Sequence, residues 1–238
     1  MVILIIATYI TTFLVQPHRI PSGSMEPTLL IGDFVLVTKN TYINRYFSPL
    51  PHPAIHRGEI IVFLKPNEPD THLVKRVIGL PGDRIHLTIN PGHPFCDRVF
   101  VNGKLLDEPY ADYLAIPGSL FRDYFPAYPD QDASILPTWQ IQLRRATQGG
   151  DLIVPPHNYF VLGDNRNDSL DSRYWGFVPE ANIIGTPWLV YFSLRNNSYL
   201  PQEFPDLYAA TPPSSLSTRI LNRIANFARW DRTLHLVQ

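Results

Sequence analysis

One hydroxyl and one amine stand out because of the residues around them. Ile20 to Leu29 reads IPSGSMEPTL. Ser24 sits between Gly23 and Met25, with Pro21 before it and Pro27 after it. Each proline fixes its own backbone angle and disfavours helix in the residue before it. The segment is therefore read as rigid and non-helical. A segment of that kind can hold a hydroxyl and nearby backbone N–H groups at fixed angles, as an oxyanion hole requires. Taken alone, a Ser-Pro-Gly cluster is more often a plain turn.

The amine is Lys75, in His72 to Ile78 (HLVKRVI). Side chains alternate along a strand, so Leu73, Lys75 and Val77 share one face. If that face is apolar, Lys75 loses solvation and its pKa falls. A neutral amine can take a proton from a serine hydroxyl. The competing reading is a lysine whose stem packs while its ammonium reaches water.

A third polar cluster, Gly163 to Val178, reads GDNRNDSLDSRYWGFV. It is rich in residues that make side-chain-to-backbone turns. A calcium loop fails there: the position for a bidentate glutamate is Trp175, and Arg166 occupies a ligand position. No metal or cofactor motif is present; His52 and His56 are four apart, but Pro53 lies between them. The single cysteine, Cys96, excludes an intramolecular disulfide framework and has no activating neighbour.

The elements that must position these groups are mostly strands. With 238 residues and 24 prolines, the chain can build a substantial core rich in loops and β-structure. Apolar runs predict strands over 32–38, 59–64, 71–80, 158–162 and 183–192. Residues 42–57 read as an extended excursion. From Arg84 to about Gly150, short β-like runs (IHLTI, RVFVNGKLL, TWQIQLRRA) predict an inserted β subdomain, with Asn102-Gly103 as its hairpin turn. Met1 to Val15 is apolar and uncharged. A signal-peptide core and a buried β-strand compete with the reading favoured here, a membrane anchor, short for the roughly 30 Å hydrocarbon layer. Arg219 to Trp230 alternates Ile220, Ile224, Phe227 and Trp230 with three arginines and predicts a short basic amphipathic helix. That helix would pack on its own domain or lie on anionic lipid. The net charge of −1 argues against a nucleic-acid partner.

The serine segment (IPSGSMEPTLLIGDFVLV), the lysine segment (VKRVIGLPGD) and the late box (GDNRNDSLDSRYWGFVP) together resemble the bacterial type I signal peptidases, Ser/Lys serine proteases. The resemblance implies a mainly β fold: an antiparallel core with an inserted β subdomain, an N-terminal transmembrane helix and a short C-terminal helix. The corresponding divisions are 1–16 for the anchor, 17–82 and 151–195 for the catalytic core, 83–150 for the insertion and 196–238 for the tail. It implies Ser24 as nucleophile and Lys75 as general base. It also implies an oxyanion hole from Ser24 N–H and the Ser22 hydroxyl, with Ser169 orienting the lysine. Asp164 would pair with Arg76, Asp171 with Arg173, and Met25 would border the substrate cleft. No cofactor is implied. The partners would be preprotein signal peptides, cut after small residues, and membrane lipid. The enzyme would be a monomer in the plasma membrane with its catalytic face extracytoplasmic. Three alternatives are a specialised peptidase for pilin- or conjugation-type substrates, a catalytically dead membrane-bound binding module, and a self-cleaving repressor peptidase. The apolar N-terminus disfavours the last.

Overall fold

The computed structural model describes residues 15–39, 54–90, 93–113, 125–126, 135–195 and 227–237. Most of residues 1–16, the excursion up to residue 53, and 219–226 of the tail lie outside them, as do the side chains of His52 and Cys96.

Two antiparallel sheets dominate. The larger is built from β1 (Val15–Arg19), β2 (Asp33–Thr38), β3 (Ile60–Lys65), β4 (Glu68–Gly79), β10 (Asn158–Leu162), β11 (Val178–Pro179) and β12 (Ile183–Ser193), in the order β1-β2-β12-β3-β4-β10-β11. A last short strand, β13 (His235–Leu236), pairs with β12. The smaller sheet contains β5 (Arg84–Asn90), β6 (His93–Val101), β7 (Lys104–Leu105), β8 (Thr147–Gln148) and β9 (Asp151–Ile153), in the order β7-β6-β5-β9-β8.

β3 shows why the larger sheet is stable. Ile61 and Phe63 enter one apolar cluster with Val77, Phe160 and Trp175. Ile60 and Val62 enter the other with Met25, Leu29, Val35 and Val37. Alternation along the strand sends successive side chains to opposite faces, and here both faces are buried. The Asn102-Gly103 turn forms as expected. Both residues have positive φ (54° and 75°), which a two-residue hairpin between twisted strands demands.

Three expectations are corrected. TWQIQLRRA is not a strand but most of a helix, α1 (Pro137–Ala146). Proline fits its first turn, and Trp139 and Leu143, four apart, bury on one side while arginines and glutamines face out. Burial of that two-residue stripe decided the conformation over the local strand-like texture. The insertion also ends later than residue 150, because Asp151–Ile153 pairs with β5 and belongs to the smaller sheet. At the N-terminus, Val15 and Gln16 are not part of an anchor. They pair with Thr38 and Val37, since a strand edge satisfies their backbone polar groups. The described residues contain no helix long and apolar enough to cross a membrane.

In the tail, Phe227 is helical, but Ala228 bridges to Leu194 and Trp230–Arg232 forms a 3-10 turn. The predicted helix therefore does not run to Trp230. Residues 228–237 pack on the larger sheet, which supplies strand pairing that a continued helix would forgo.

Phe63 is fully buried and stacks at 5.7 Å on Trp175. Phe63→Ala should lower unfolding free energy by about 3–5 kcal/mol, read as a shift in urea midpoint at constant slope.

Candidate active site

The larger sheet brings the three polar segments together. Ser24 lies in the turn-rich segment between β1 and β2, and Lys75 lies on β4. Lys75 Nζ and Ser24 Oγ are in direct hydrogen-bond contact. Lys75 is 3% exposed. Burial is the main influence on its amine. Asp171 and Asp164 oppose it, but the net result is a pKa lowered from 10.5 to about 8.

Around the amine stand two buried arginine–carboxylate pairs. Arg76 grips Asp164 through two hydrogen bonds of 2.8 and 2.7 Å, and its third nitrogen reaches Gly58 O at 2.6 Å. Asp164 also accepts from Thr28 Oγ1 at 2.5 Å, which ties the box to the serine segment. Arg173 grips Asp171 with two bonds of 2.9 Å. Burial alone would raise the Asp171 carboxyl. Arg173 above all, with Lys75 and the Gly163 N–H, outweighs it and holds the pKa below the usual value. Asp164 thus lies against Arg76 and Asp171 against Arg173, both pairs buried near the amine.

Met25 is buried in the core and borders a cavity of about 290 Å³, together with Ile20, Ser22, Ser24, Leu73 and Lys75. Ser22 is exposed at its mouth. His18 and His72 meet edge to face at 5.5 Å along the same cavity.

Ser169 departs from expectation. It is buried, but among the described residues its Oγ has no hydrogen-bond partner and does not bond Lys75. The lysine amine is engaged by Ser24 instead, while Ser169 Oγ packs over Gly163 beside the Ser24 carbonyl. A β-carbon at Gly163 would collide with both oxygens, so only glycine lets these segments approach.

Sequence reasoning missed two sets of supporting residues. Asp33, fully buried, accepts from Leu30 N–H (2.9 Å), Ser193 Oγ (2.6 Å) and Arg232 (2.7 Å). Arg232 also donates to Thr28 O at 2.9 Å, and Arg229 to Ile31 O at 2.5 Å. The end of the chain thereby clamps the segment that follows Ser24. The second set comes from the insertion. Glu108 holds buried Arg166 with bonds of 2.5 and 2.9 Å, and the Tyr110 ring lies 3.9 Å from the Arg76 guanidinium. An acidic residue next to a turn glycine, or a Glu-Pro-Tyr after a hairpin, gave no signal of partners so distant in sequence. Among the described residues, no three His, Cys, Asp or Glu side chains converge as a metal site.

A buried lysine amine lies against a serine hydroxyl beside an apolar cleft, and the class is that of the serine endopeptidases. The family model for signal peptidase, peptidase S26, matches residues 1–192. The chain is 35% identical to signal peptidase I of Pseudomonas aeruginosa, over 80% of this chain and 69% of that one. It is 34% identical to signal peptidase I of Aquifex aeolicus, over 87% of each. A solved signal peptidase I from Enterococcus faecalis matches 56% of this chain and 97% of its own, at 30% identity and a TM-score of 0.39. The chain belongs to the signal peptidase family S26.

The lowered pKa of Lys75 is also a statement about stability. Below about pH 8 the amine is charged in folded and unfolded states alike, and the folded state carries the full desolvation cost. Between about 8 and 10.5 the unfolded chain binds the extra proton, so stability rises with pH. Lys75→Met should accordingly stabilise the fold by on the order of 3 kcal/mol at neutral pH. The gain should vanish above pH 10.5 in denaturant titrations run across that range.

Proposed function

We propose that the protein removes N-terminal signal peptides from exported preproteins, with Ser24 as nucleophile and Lys75 as general base. The observation that carries this reading is the direct contact between Ser24 Oγ and the desolvated Lys75 amine. The neutral amine takes the hydroxyl proton as Oγ attacks the scissile carbonyl. The oxyanion is received by Ser24 N–H and the Ser22 hydroxyl. The resulting ammonium returns the proton to the leaving amine. Water, deprotonated in turn by Lys75, then hydrolyses the ester on Ser24.

The sheet offers a place for an extended substrate. Along His72–Lys75, β4 pairs with β3 on one side, while β10 reaches only Arg76 to Gly79. Among the described residues β1 pairs with β2 alone. Among the described residues, two strand edges beside the cavity and Ser24 are thus left free, and an added strand can hydrogen-bond to them. The apolar lining from Ile20, Met25 and Leu73 suits small side chains next to the cut.

A membrane location is part of the same reading. Residues 1–14 are apolar and lead into β1, and Ser24 follows Val15 by nine residues, at most roughly 30 Å of chain. Around β12 and β13, Trp188, Phe227, Trp230, Leu234 and Leu236 are large apolar side chains exposed to solvent. Such a patch, joined through Phe192 stacking on Phe227 and Trp230, suits contact with lipid.

Incubation of the detergent-solubilised protein with a preprotein tests the chemistry. Wild type should release the leader, whereas Ser24→Ala and Lys75→Arg should retain less than about a thousandth of the turnover. Guanidinium stays protonated, so the arginine variant lacks a base. Turnover should rise about tenfold per pH unit on the acid side and level off above about pH 8, the pKa of the amine. A near-normal Lys75→Arg enzyme would refute the assignment. For the apolar patch, the double variant Leu234→Ser and Leu236→Ser should weaken sedimentation with anionic vesicles several-fold while sparing cleavage of a short soluble peptide; unchanged sedimentation would remove the lipid contact from this face.

A further inference from the structure

The N–H of Ser24 has no acceptor among the described residues, although its neighbours on both sides are pinned. Asn165, only 3% exposed, does the pinning. Its backbone N–H donates to Ser24 O at 3.2 Å, and its side-chain Nδ2 donates to Gly23 O at 3.3 Å. Glu26 N–H adds a third bond, to Gly23 O at 3.0 Å. Gly23 C=O and Ser24 N–H belong to one peptide unit. In a trans unit they point in opposite directions. Holding Gly23 O toward Asn165 therefore aims Ser24 N–H away from it. Holding Ser24 O as well blocks rotation of the following unit.

Asn165 is itself held from behind. Asp112, in the strap of the insertion, bridges to it: Asp112 N–H donates to Asp164 O and Arg166 N–H donates to Asp112 O, both at 2.8 Å. Arg166 is locked by Glu108 and donates to Gly163 O at 3.0 Å. The Asn165 Oδ1 atom is buried without a partner among the described residues. An amide suits this place because its donor end meets Gly23 O, whereas a carboxylate would set an acceptor against that carbonyl.

We propose that Asn165 is a positioning residue of the oxyanion hole, acting through the Ser24 N–H, and that the Glu108–Tyr113 strap of the insertion holds it there. This rests on the reading of Ser24 as nucleophile. The role differs from general support because it concerns one donor that matters only when a tetrahedral oxygen is present.

The test compares wild type with Asn165→Ala and Asn165→Asp on a short soluble peptide and on the matching peptide aldehyde. In the aldehyde complex Ser24 Oγ adds to the aldehyde carbon, its proton passes to Lys75, and the new oxygen lies where the oxyanion would. Loss of an oxyanion donor outright costs roughly 10²–10³ in kcat. Misaiming it should lower kcat by about ten- to a hundredfold in both variants, with KM within about twofold. Aldehyde affinity should fall by the same factor as kcat. Full kcat in the variants would overturn the proposal. So would a kcat loss with aldehyde affinity intact, or a loss that merely follows the unfolded fraction in a thermal melt. A wild-type enzyme that leaves the peptide whole would overturn both this proposal and the functional reading beneath it.

Discussion

An amine that has lost its water governs this structure. Lys75 is buried on β4, and its pKa near 8 follows from that burial more than from any neighbouring charge. Desolvation disfavours the ammonium. The nearby carboxylates Asp171 and Asp164 push the other way without overcoming burial. Arg173 and Arg76 occupy them with bidentate bonds. The arginines thus take up both buried acids, and Arg173 holds the Asp171 carboxyl below its usual pKa. Burial of so many charges does little for stability in itself, since desolvation offsets most of the Coulomb gain. Its effect is to fix where each group lies.

The same logic extends outward in shells of hydrogen bonds that converge on the serine segment from separate parts of the chain. Thr28 reaches Asp164. Asp33 receives Arg232, 199 residues later in the chain. Asn165 holds the carbonyls on either side of the Ser24 N–H. Preorganised donors cost no reorganisation when charge develops, which is why a hydrolase benefits from rigidity here. The segment around Ser24 is neither helix nor strand. Its backbone groups would otherwise be satisfied by secondary structure, and these distant partners replace that ladder.

The insertion takes part in this arrangement. Its smaller sheet packs into the cluster that contains Ile61, Phe63 and Val77, and its strap sends Glu108 to Arg166 and Tyr110 over Arg76. The insertion is therefore structurally continuous with the catalytic core. The tail is equally integrated: β13 pairs with β12, and the arginines before it close on Asp33.

Much of this was legible in the sequence because it is local. Prolines around Ser24 forbade helix, alternation placed Lys75 with Leu73 and Val77, and Asn102-Gly103 declared its hairpin; each depends on residues within a few positions. The resemblance of three long segments added the pairing of Ser24 with Lys75 and of the arginines with their acids. Other features were not legible. TWQIQLRRA became a helix because Trp139 found Arg173 O and the core, a partner 34 residues away. Ser169 Oγ, expected on the amine, has no partner among the described residues. Asp33, Arg232, Glu108 and Asn165 gained roles through contacts that span up to 199 residues. The sequence by itself determined the chemistry available and the local backbone that presents it. Only the tertiary structure decided which charges are desolvated and which donors point inward, because both depend on what the rest of the chain places around each group.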